Sequence, residues 1–156
     1  MPFEIERKFL VETNNWKGTS KGTFVRQGYL CFEKETIVRI RTYNNKGYLT
    51  IKAVAQGLAR PEYEYEIPYS EASEILDNVI ENPIIEKYRY SVEFNGFIWS
   101  VDEFLGENSG LVIAEIELDT ENQTFEKPDW IGGEVTGDTR YYNSNLVNNP
   151  FRSWNK

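Results

Sequence analysis

The stretch Phe3-Glu4-Ile5-Glu6-Arg7-Lys8-Phe9-Leu10-Val11 carries a charged side chain at three alternate positions, namely Glu4, Glu6 and Lys8. Successive side chains of a β-strand point to opposite faces, so Glu4, Glu6 and Lys8 would share one face. Two like charges about 7 Å apart on one face repel each other unless a cation lies between them. The stretch therefore predicts either a solvated strand face or, if that face is enclosed, a metal site.

The same alternation recurs in six further segments, and each charged face is nearly of one sign. Solubility alone would not segregate the signs, so the pattern predicts a charged interior. An antiparallel sheet closed into a barrel permits this, because polar side chains can line its lumen while apolar faces are covered from outside. The segments are Val38-Arg39-Ile40-Arg41, Tyr48-Leu49-Thr50-Ile51-Lys52, Glu62-Tyr63-Glu64-Tyr65-Glu66-Ile67, Lys87-Tyr88-Arg89-Tyr90, Trp99-Ser100-Val101-Asp102 and Ala114-Glu115-Ile116-Glu117-Leu118.

So many enclosed charges must pair with one another, with water or with a highly charged ligand, because an unpaired buried ion is unstable. Arginine and lysine suit phosphate oxygens. Carboxylates can hold a phosphate only through a bridging cation, and their oxygen atoms suit Mg²⁺ or Mn²⁺. The two kinds of charged face predict a tunnel whose charges pair with one another, with water or with a highly charged ligand.

Taken together and in this order, the segments resemble the triphosphate tunnel metalloenzymes, also called the CYTH superfamily. The likeness runs from residue 3 to about residue 146. It implies an α+β fold with a closed eight-stranded antiparallel β-barrel, a charged lumen and helices packed outside. It also implies binding of a linear triphosphate and divalent-metal-dependent hydrolysis.

The resemblance also implies roles for individual residues. Short bacterial members use a lysine and a tyrosine to orient the attacking water, which correspond to Lys8 and Tyr29, although Tyr29 could instead be a plain barrel aromatic. Asp102 is a further metal candidate that could equally pair with an arginine or end a strand. The metal-binding carboxylates would be Glu4, Glu6, Glu62, Glu64, Glu115 and Glu117, and the phosphate-binding cations Lys8, Arg39, Arg41, Lys52, Lys87 and Arg89.

Three functions agree with this resemblance. The leading one is hydrolysis of inorganic tripolyphosphate to pyrophosphate and phosphate, as in the short bacterial members. A class IV-type adenylate cyclase, which converts ATP to cyclic AMP and pyrophosphate, would need additional contacts to the nucleoside, for which Phe24, Tyr43 and Trp154 are the candidates. A non-catalytic module that binds polyphosphate or nucleotides is the third, and an incomplete acidic set would favour it.

Composition excludes other chemistry. The 156 residues contain no histidine and one cysteine, Cys31, which excludes histidine-dependent triads, histidine-ligated zinc and an intrachain disulfide. A net charge of −8 argues against nucleic-acid binding. No apolar run approaches the length of a membrane helix, so a cytoplasmic protein is expected. We expect residues 1–156 to form one domain, and the sequence leaves a homodimer open.

Local signals predict a few further elements. A helix is expected over residues 70–81, with Ser70 as its N-cap and an apolar stripe that covers the sheet. A shorter helix is expected over residues 128–132, and a hairpin turn at residues 44–47. The outer strand faces should carry tyrosines that pack under helices, namely Tyr63, Tyr65, Tyr88 and Tyr90.

Overall fold

A computed structural model describes residues 2–33 and 35–154; Met1, Lys34, Asn155 and Lys156, which belong to the predicted domain, lie outside the described residues. Antiparallel neighbours follow the order β5-β4-β3-β2-β6-β7-β8-β1, and β5 also pairs with β1, which closes the barrel. The predicted eight-stranded barrel is confirmed, with β9 added beside β1. The strands are β1 (Phe3–Val11), β2 (Thr23–Cys31), β3 (Ile37–Tyr43), β4 (Lys46–Lys52), β5 (Ala59–Ile67), β6 (Ile85–Phe94), β7 (Phe97–Phe104), β8 (Val112–Glu117) and β9 (Ile131–Glu134).

Strand register brings the charged faces together inside the barrel. Residues directly opposite each other on antiparallel strands share a face. Lys8 of β1 lies opposite Glu115 of β8, and Arg89 of β6 lies opposite Asp102 of β7. The intervening apolar residues of each strand therefore point outwards, where they need a cover.

The predicted hairpin turn between β3 and β4 is confirmed. Asn44 and Asn45 have φ angles of 53° and 60°, the left-handed values that a two-residue type I′ turn requires at both central positions. Tyr43 then pairs with Lys46, so the turn fixes the register that places the cations of β3 beside those of β4.

One helical segment covers the outer face of β3 and β4. Helix α1 (Tyr69–Glu74) continues into a π-helical turn (Ile75–Val79), and Ala72 and Leu76 pack on Ile40. A Cβ atom at Gly47 would lie 2.6 Å from the Cβ atom of Ala72, so the helix approaches closely only because residue 47 is glycine. The helix predicted over residues 70–81 is thus confirmed in position, and it ends near residue 79.

The predicted N-cap of this helix is wrong. Pro68 occupies the N-cap position, with φ of −56°, and no side chain caps the helix. Proline has φ fixed near the helical value and no N–H group to lose, so it favours a helix start. Ser70 consequently lies inside the first turn.

Loops, and not helices, cover the opposite side of the barrel. Trp130 packs edge-on to Trp99 of β7 with ring centroids 5.9 Å apart, and Trp16 packs on Tyr90 of β6 at 5.0 Å. The helix predicted over residues 128–132 is wrong, because Ile131 pairs with Val11 in a short strand. This strand lies along the edge of β1 opposite β8, beyond the residues that pair with β5.

The prediction that four tyrosines pack under helices is wrong for at least three of them. Tyr65 and Tyr88 are 55% and 36% exposed, and buried Tyr90 packs under the loop that carries Trp16. The phenol rings of Tyr65 and Tyr88 therefore stay at the surface, where their hydroxyls can meet water.

The C-terminal segment packs across one end of the barrel. It comprises a 3₁₀ turn (Thr139–Tyr141), helix α2 (Asn143–Leu146) and a second 3₁₀ turn (Phe151–Ser153). Leu146 is fully buried in a cluster with Phe104 and Ile113 from the barrel strands. Within the described residues, no helix is both long and apolar enough to span a bilayer.

Candidate active site in the tunnel

A cavity of about 880 Å³ inside the barrel is lined by every predicted site residue except Asp102. Tyr142 and Asn143, from the C-terminal segment, also line it. Sequence reasoning noted the resemblance of that segment to the family but gave its residues no role. The carboxylates and the cations of this cavity lie mainly on separate groups of strands, which we describe in turn.

The carboxylate wall comprises five residues of β1, β5 and β8. Burial raises the pKa of Glu6 well above its ordinary value, and the nearby Glu115 and Glu4 raise it further. Burial also raises the pKa of Glu4, together with a hydrogen bond to Glu62. A raised pKa marks a carboxylate that lacks enough positive charge around it. The members of the wall are Glu4, Glu6, Glu62, Glu115 and Glu117.

Glu115 differs from its neighbours in this wall. Burial acts to raise the pKa of Glu115, but Lys8 and Arg89 outweigh it and lower that pKa to about 2. The Lys8 ammonium nitrogen lies 3.9 Å from the Glu115 carboxylate and 4.0 Å from that of Glu6. Glu115 is therefore ionised and held by cations in the ligand-free protein, whereas Glu6 binds its proton more strongly than an ordinary glutamate.

Two lysines reach into the carboxylate wall. Lys52 donates to both oxygens of Glu4, at 3.0 and 3.2 Å, and lies 3.8 Å from Glu62. Lys8 lies over the ring of Tyr142, with its Nζ atom 5.3 Å from the ring centroid. Burial acts to lower the pKa of Lys8, but the surrounding carboxylates raise it overall. Both lysines lie at the edge of the carboxylate wall, within reach of an anionic ligand in the cavity.

The cation wall comprises Arg39, Arg41, Lys87 and Arg89, on β3 and β6. Arg89 donates to both oxygens of Asp102, at 2.7 and 2.8 Å, and Lys87 donates to Asp102 at 2.9 Å. Asp102 is 1% exposed, and burial raises its pKa, but Arg89 and Lys87 outweigh this and hold the pKa well below its usual range. Of the three alternatives left open for Asp102, the structure shows the pairing with an arginine.

Burial lowers the pKa of two cations in the cation wall and leaves two arginine N–H donors without partners among the described residues. It lowers the pKa of Lys87 to about 7, and it lowers the pKa of Arg41 to about 10 with help from Arg39 and Arg89. The Nε atoms of Arg39 and Arg41 are buried and have no hydrogen-bond partner among the described residues. Unpartnered donors beside a cavity favour an anionic ligand.

Glu64 lies with the arginines rather than with the other carboxylates. Its Oε2 atom is 3.5 Å from guanidinium nitrogens of both Arg39 and Arg41. Thr50, fully buried, donates to this oxygen at 2.9 Å and accepts from Arg39 at 3.1 Å. Sequence reasoning placed Thr50 in phase with Lys52 but gave it no role. The predicted metal role of Glu64 stays a prediction.

Tyr29 is 3% exposed and touches a hydrogen-bonded network that sequence reasoning missed. Gln27 donates from Nε2 to the Tyr29 hydroxyl oxygen at 2.8 Å and to Asn143 Oδ1 at 3.1 Å. Lys87 donates to the same Asn143 oxygen at 2.9 Å. The only sequence signal for Gln27 is its spacing of two from Tyr29, which puts both side chains on the inner face of β2.

The donor chemistry of the carboxylate wall fits a hard divalent cation, because the wall consists of carboxylate oxygens, and the pKa values of Glu4, Glu6 and Glu117 are raised. No group of three or more Asp, Glu or Cys side chains is already arranged to hold a metal ion in the part of the chain that the structure describes. The Lys52 ammonium group lies between Glu4 and Glu62, so side chains would have to move to admit a metal.

Several known proteins are similar to this chain in sequence or in fold. The CYTH domain family model matches residues 2–145 of this chain. An inorganic triphosphatase of Acetivibrio thermocellus is 60% identical over 151 residues, covering 97% of each chain. An inorganic triphosphatase of Nitrosomonas europaea is 39% identical over 148 residues, covering 92% of this chain and 96% of that one. The solved structure of the inorganic triphosphatase NE1496 superposes with a TM-score of 0.67 at 35% identity, covering 92% of this chain and 97% of that chain.

Proposed function

This chain belongs to the CYTH domain family, and we propose that it is a divalent-metal-dependent hydrolase that converts inorganic tripolyphosphate to pyrophosphate and phosphate. Relatives that are 60% and 39% identical are inorganic triphosphatases. The observation that carries the proposal is the pair of facing walls in one cavity, one acidic and one basic. A ligand that combines several negative charges with a divalent metal ion would complement both walls.

We propose that the cation wall binds the phosphate oxygens. Arg39 and Arg41 each have a buried Nε donor that finds no partner in the described part of the chain, and a guanidinium fork can hold two phosphate oxygens at once. Arg89 and Lys87 are held in place by Asp102. Phosphoryl transfer depends mainly on positioning and charge neutralisation, which such a fixed set of cations supplies.

The carboxylate wall would hold the metal ion, with Mg²⁺ or Mn²⁺ as candidates. When bound, that ion would neutralise phosphate charge and supply an activated water. Glu4, Glu6 and Glu62 are the first candidate ligands. Lys52 is the cation beside Glu4 and Glu62, and Lys8 lies 4.0 Å from Glu6. Glu115 and Glu117 complete the proposed ligand set.

Lys8 and Tyr29 would orient the attacking water at the junction of the two walls. Lys8 lies between Glu6 and Glu115, near the proposed metal ligands, and Tyr29 lines the cavity near the cation wall. Tyrosine is too weak a base to deprotonate water unaided, so its role would be to fix geometry by hydrogen bonding.

The cyclase alternative has little support from this cavity. None of the three candidate nucleoside-binding aromatics lines it. Phe24 lies 43% exposed against Tyr88, and Trp154 packs on Tyr141 and Phe151. A cyclase must hold the adenine beside the tunnel, and the cavity offers none of these rings for that purpose.

Product analysis tests the proposal. Tripolyphosphate, ATP and thiamine triphosphate would each be incubated with the protein in Mg²⁺, in Mn²⁺ or in chelator. Metal-dependent release of phosphate, preferentially from tripolyphosphate, is the expected result. Cyclic AMP and pyrophosphate from ATP would instead establish the cyclase function, and tight binding of all three without any product would establish a binding module.

We also propose that the protein acts in the cytoplasm as one domain of residues 1–156. Its single cysteine, Cys31, has no partner for an intrachain disulfide. The acidic net charge of −8 makes a triphosphate, rather than nucleic acid, the expected partner. Sedimentation of the intact chain would decide between a monomer and a homodimer.

A further inference from the structure

Behind the tunnel wall, a continuous row of hydrogen bonds connects Lys87 to Tyr29. Lys87 donates to Asn143 Oδ1 at 2.9 Å, Gln27 Nε2 donates to the same oxygen at 3.1 Å, and Gln27 Nε2 donates to the Tyr29 hydroxyl oxygen at 2.8 Å. Gln27 is 1% exposed and does not line the cavity, whereas Tyr29 and Asn143 do. Gln27 can therefore influence the reaction only through the groups that it contacts.

The donor and acceptor roles in this row are fixed from the Lys87 end. Lys87 forms an ion pair with Asp102 at 2.9 Å, and a paired ammonium group only donates, so Asn143 turns its carbonyl oxygen towards Lys87. That oxygen also faces Gln27, which must therefore present its NH₂ group there. The second N–H of the same group then points at Tyr29.

Reversing either amide would place like groups against each other. Turning the Gln27 amide would bring its oxygen against the Asn143 oxygen, and turning Asn143 as well would bring an NH₂ group against the Lys87 ammonium. The observed orientation leaves Gln27 Oε1 buried without a hydrogen-bond partner among the described residues. A buried unpaired carbonyl is unfavourable, so the neighbours and not Gln27 itself determine the orientation.

We propose that Gln27 and Asn143 are positioning residues that make the Tyr29 hydroxyl a hydrogen-bond donor into the tunnel. The hydroxyl oxygen accepts from Gln27, so its own proton is directed to the cavity, where a phosphate oxygen or the water oxygen can accept it. This inference rests on the proposed triphosphatase function and refines the role of Tyr29 within it. It also makes the C-terminal segment part of the active site.

Two substitutions at Gln27 test the direction of this hydrogen bond. Gln27→Met keeps the side-chain volume and removes the hydrogen-bond donor. Gln27→Glu replaces the donor by a carboxylate, which would accept a hydrogen bond from the Tyr29 hydroxyl and turn it away from the cavity. We expect kcat on tripolyphosphate to fall about tenfold in Gln27→Met and further in Gln27→Glu, with KM changed less than about threefold. Equal activity in wild type and both variants would overturn the proposal.

A double-mutant cycle separates positioning from simple structural support. If Gln27 acts through the Tyr29 hydroxyl, Gln27→Met should cost no additional activity in a Tyr29→Phe background. Additive losses would show that Gln27 acts in another way and would overturn the proposal. Asn143→Leu should behave like Gln27→Met, and Asn148→Leu, at an exposed position of the same segment, is the matched control.

A readout without turnover keeps this inference separate from the proposed function. The side-chain NH₂ protons of Gln27, assigned by their absence in Gln27→Met, can be followed by ¹H–¹⁵N NMR. Tyr29→Phe and Asn143→Leu should each shift one of these protons upfield as its acceptor is lost. Unchanged Gln27 resonances would overturn the hydrogen-bond assignment even in an active enzyme, whereas an inactive wild type with the expected shifts would contradict only the triphosphatase function.

Discussion

The two walls of the tunnel both hold like charges at close range, yet they are stabilised in different ways. Asp102 provides the cation wall with an internal counterion that hydrogen bonds to Lys87 and Arg89. Glu6, in the carboxylate wall, has no cation within 3.9 Å among the described residues, and burial raises its pKa well above the ordinary value. The cation wall is therefore preorganised in the free protein, whereas the carboxylate wall lacks a comparable counterion at Glu6 in the described part of the chain, as expected of the proposed metal site.

The largest expected effect is the loss of turnover when the carboxylate wall loses a charge. Glu6→Gln should reduce metal-dependent phosphate release by at least about 10³-fold, because a catalytic metal supplies several kcal/mol of transition-state stabilisation. The free energy of unfolding in chelator should stay constant or rise, since the substitution removes a buried, repelled carboxylate. Phosphate release and urea unfolding measure the two quantities.

Glu86→Gln is the control for this substitution, because it removes the same charge from an exposed position near Arg26 on the outer face. It should keep wild-type turnover. Full activity of Glu6→Gln in Mg²⁺ or Mn²⁺ would show that Glu6 is not a metal ligand.

The second effect is on the free energy of unfolding. Removing a carboxylate charge from the cation wall should lower this free energy, whereas Glu6→Gln in the carboxylate wall should leave it constant or raise it. Asp102→Asn leaves Lys87 and Arg89 buried without their counterion, so we expect a loss of about 3 kcal/mol in the free energy of unfolding. Glu103→Gln, whose carboxylate contacts the half-exposed Lys17, should change this free energy far less. If Asp102→Asn and Glu6→Gln had equal effects on urea unfolding, the contrast between the walls would be wrong.

The barrel and most of its lining could be predicted because the necessary information is local. Charged residues of one sign alternate with apolar residues along each strand. This alternation alone distinguishes the inner from the outer face of the strand, whichever strands lie beside it. Every predicted site residue except Asp102 lines the cavity for this reason. The Asn44 and Asn45 turn is equally local, since its residue types match its backbone angles.

Features that depend on distant parts of the chain could not be predicted. Asn143 meets Gln27 across 116 positions of sequence, and nothing near either residue signals that contact. The partner of Asp102 depends on the register of β6 with β7, which places Arg89 directly opposite. Strand β9 forms along the edge of β1 that β5 leaves free beyond Ile5, although the local signal around Pro128 suggested a helix.

A third, smaller effect should separate catalysis from binding at the junction of the walls. Lys8→Ala and Tyr29→Phe should each lower kcat about 10²-fold and change KM less, if both residues orient the attacking water. Arg39→Ala, in the cation wall, should instead raise KM more than it lowers kcat, because it removes a phosphate contact. Steady-state kinetics on tripolyphosphate would decide. A pure rise in KM for Lys8→Ala would make it a binding residue.

The smallest effect is the pH dependence of stability in chelator, and it should divide the carboxylate wall itself. The pKa of Glu6 is raised in the folded state, so its contribution to stability is present below its ordinary pKa of 4.5 and is lost as pH rises through the raised value. The pKa of Glu115 is lowered to about 2, so its contribution is present above 4.5 and is lost as pH falls towards 2. The two carboxylates should therefore respond to pH in opposite directions.

Urea unfolding of wild type, Glu6→Gln and Glu115→Gln as a function of pH would test this division. Glu6→Gln should gain stability relative to wild type as pH rises from about 5 to 8. Glu115→Gln should be less stable than wild type at neutral pH, with a deficit that shrinks on acidification. Parallel curves for the two variants would mean that Lys8 and Arg89 do not distinguish Glu115 from Glu6. The expected divergence would mean that Glu6 is the carboxylate that gains more from a bound metal ion.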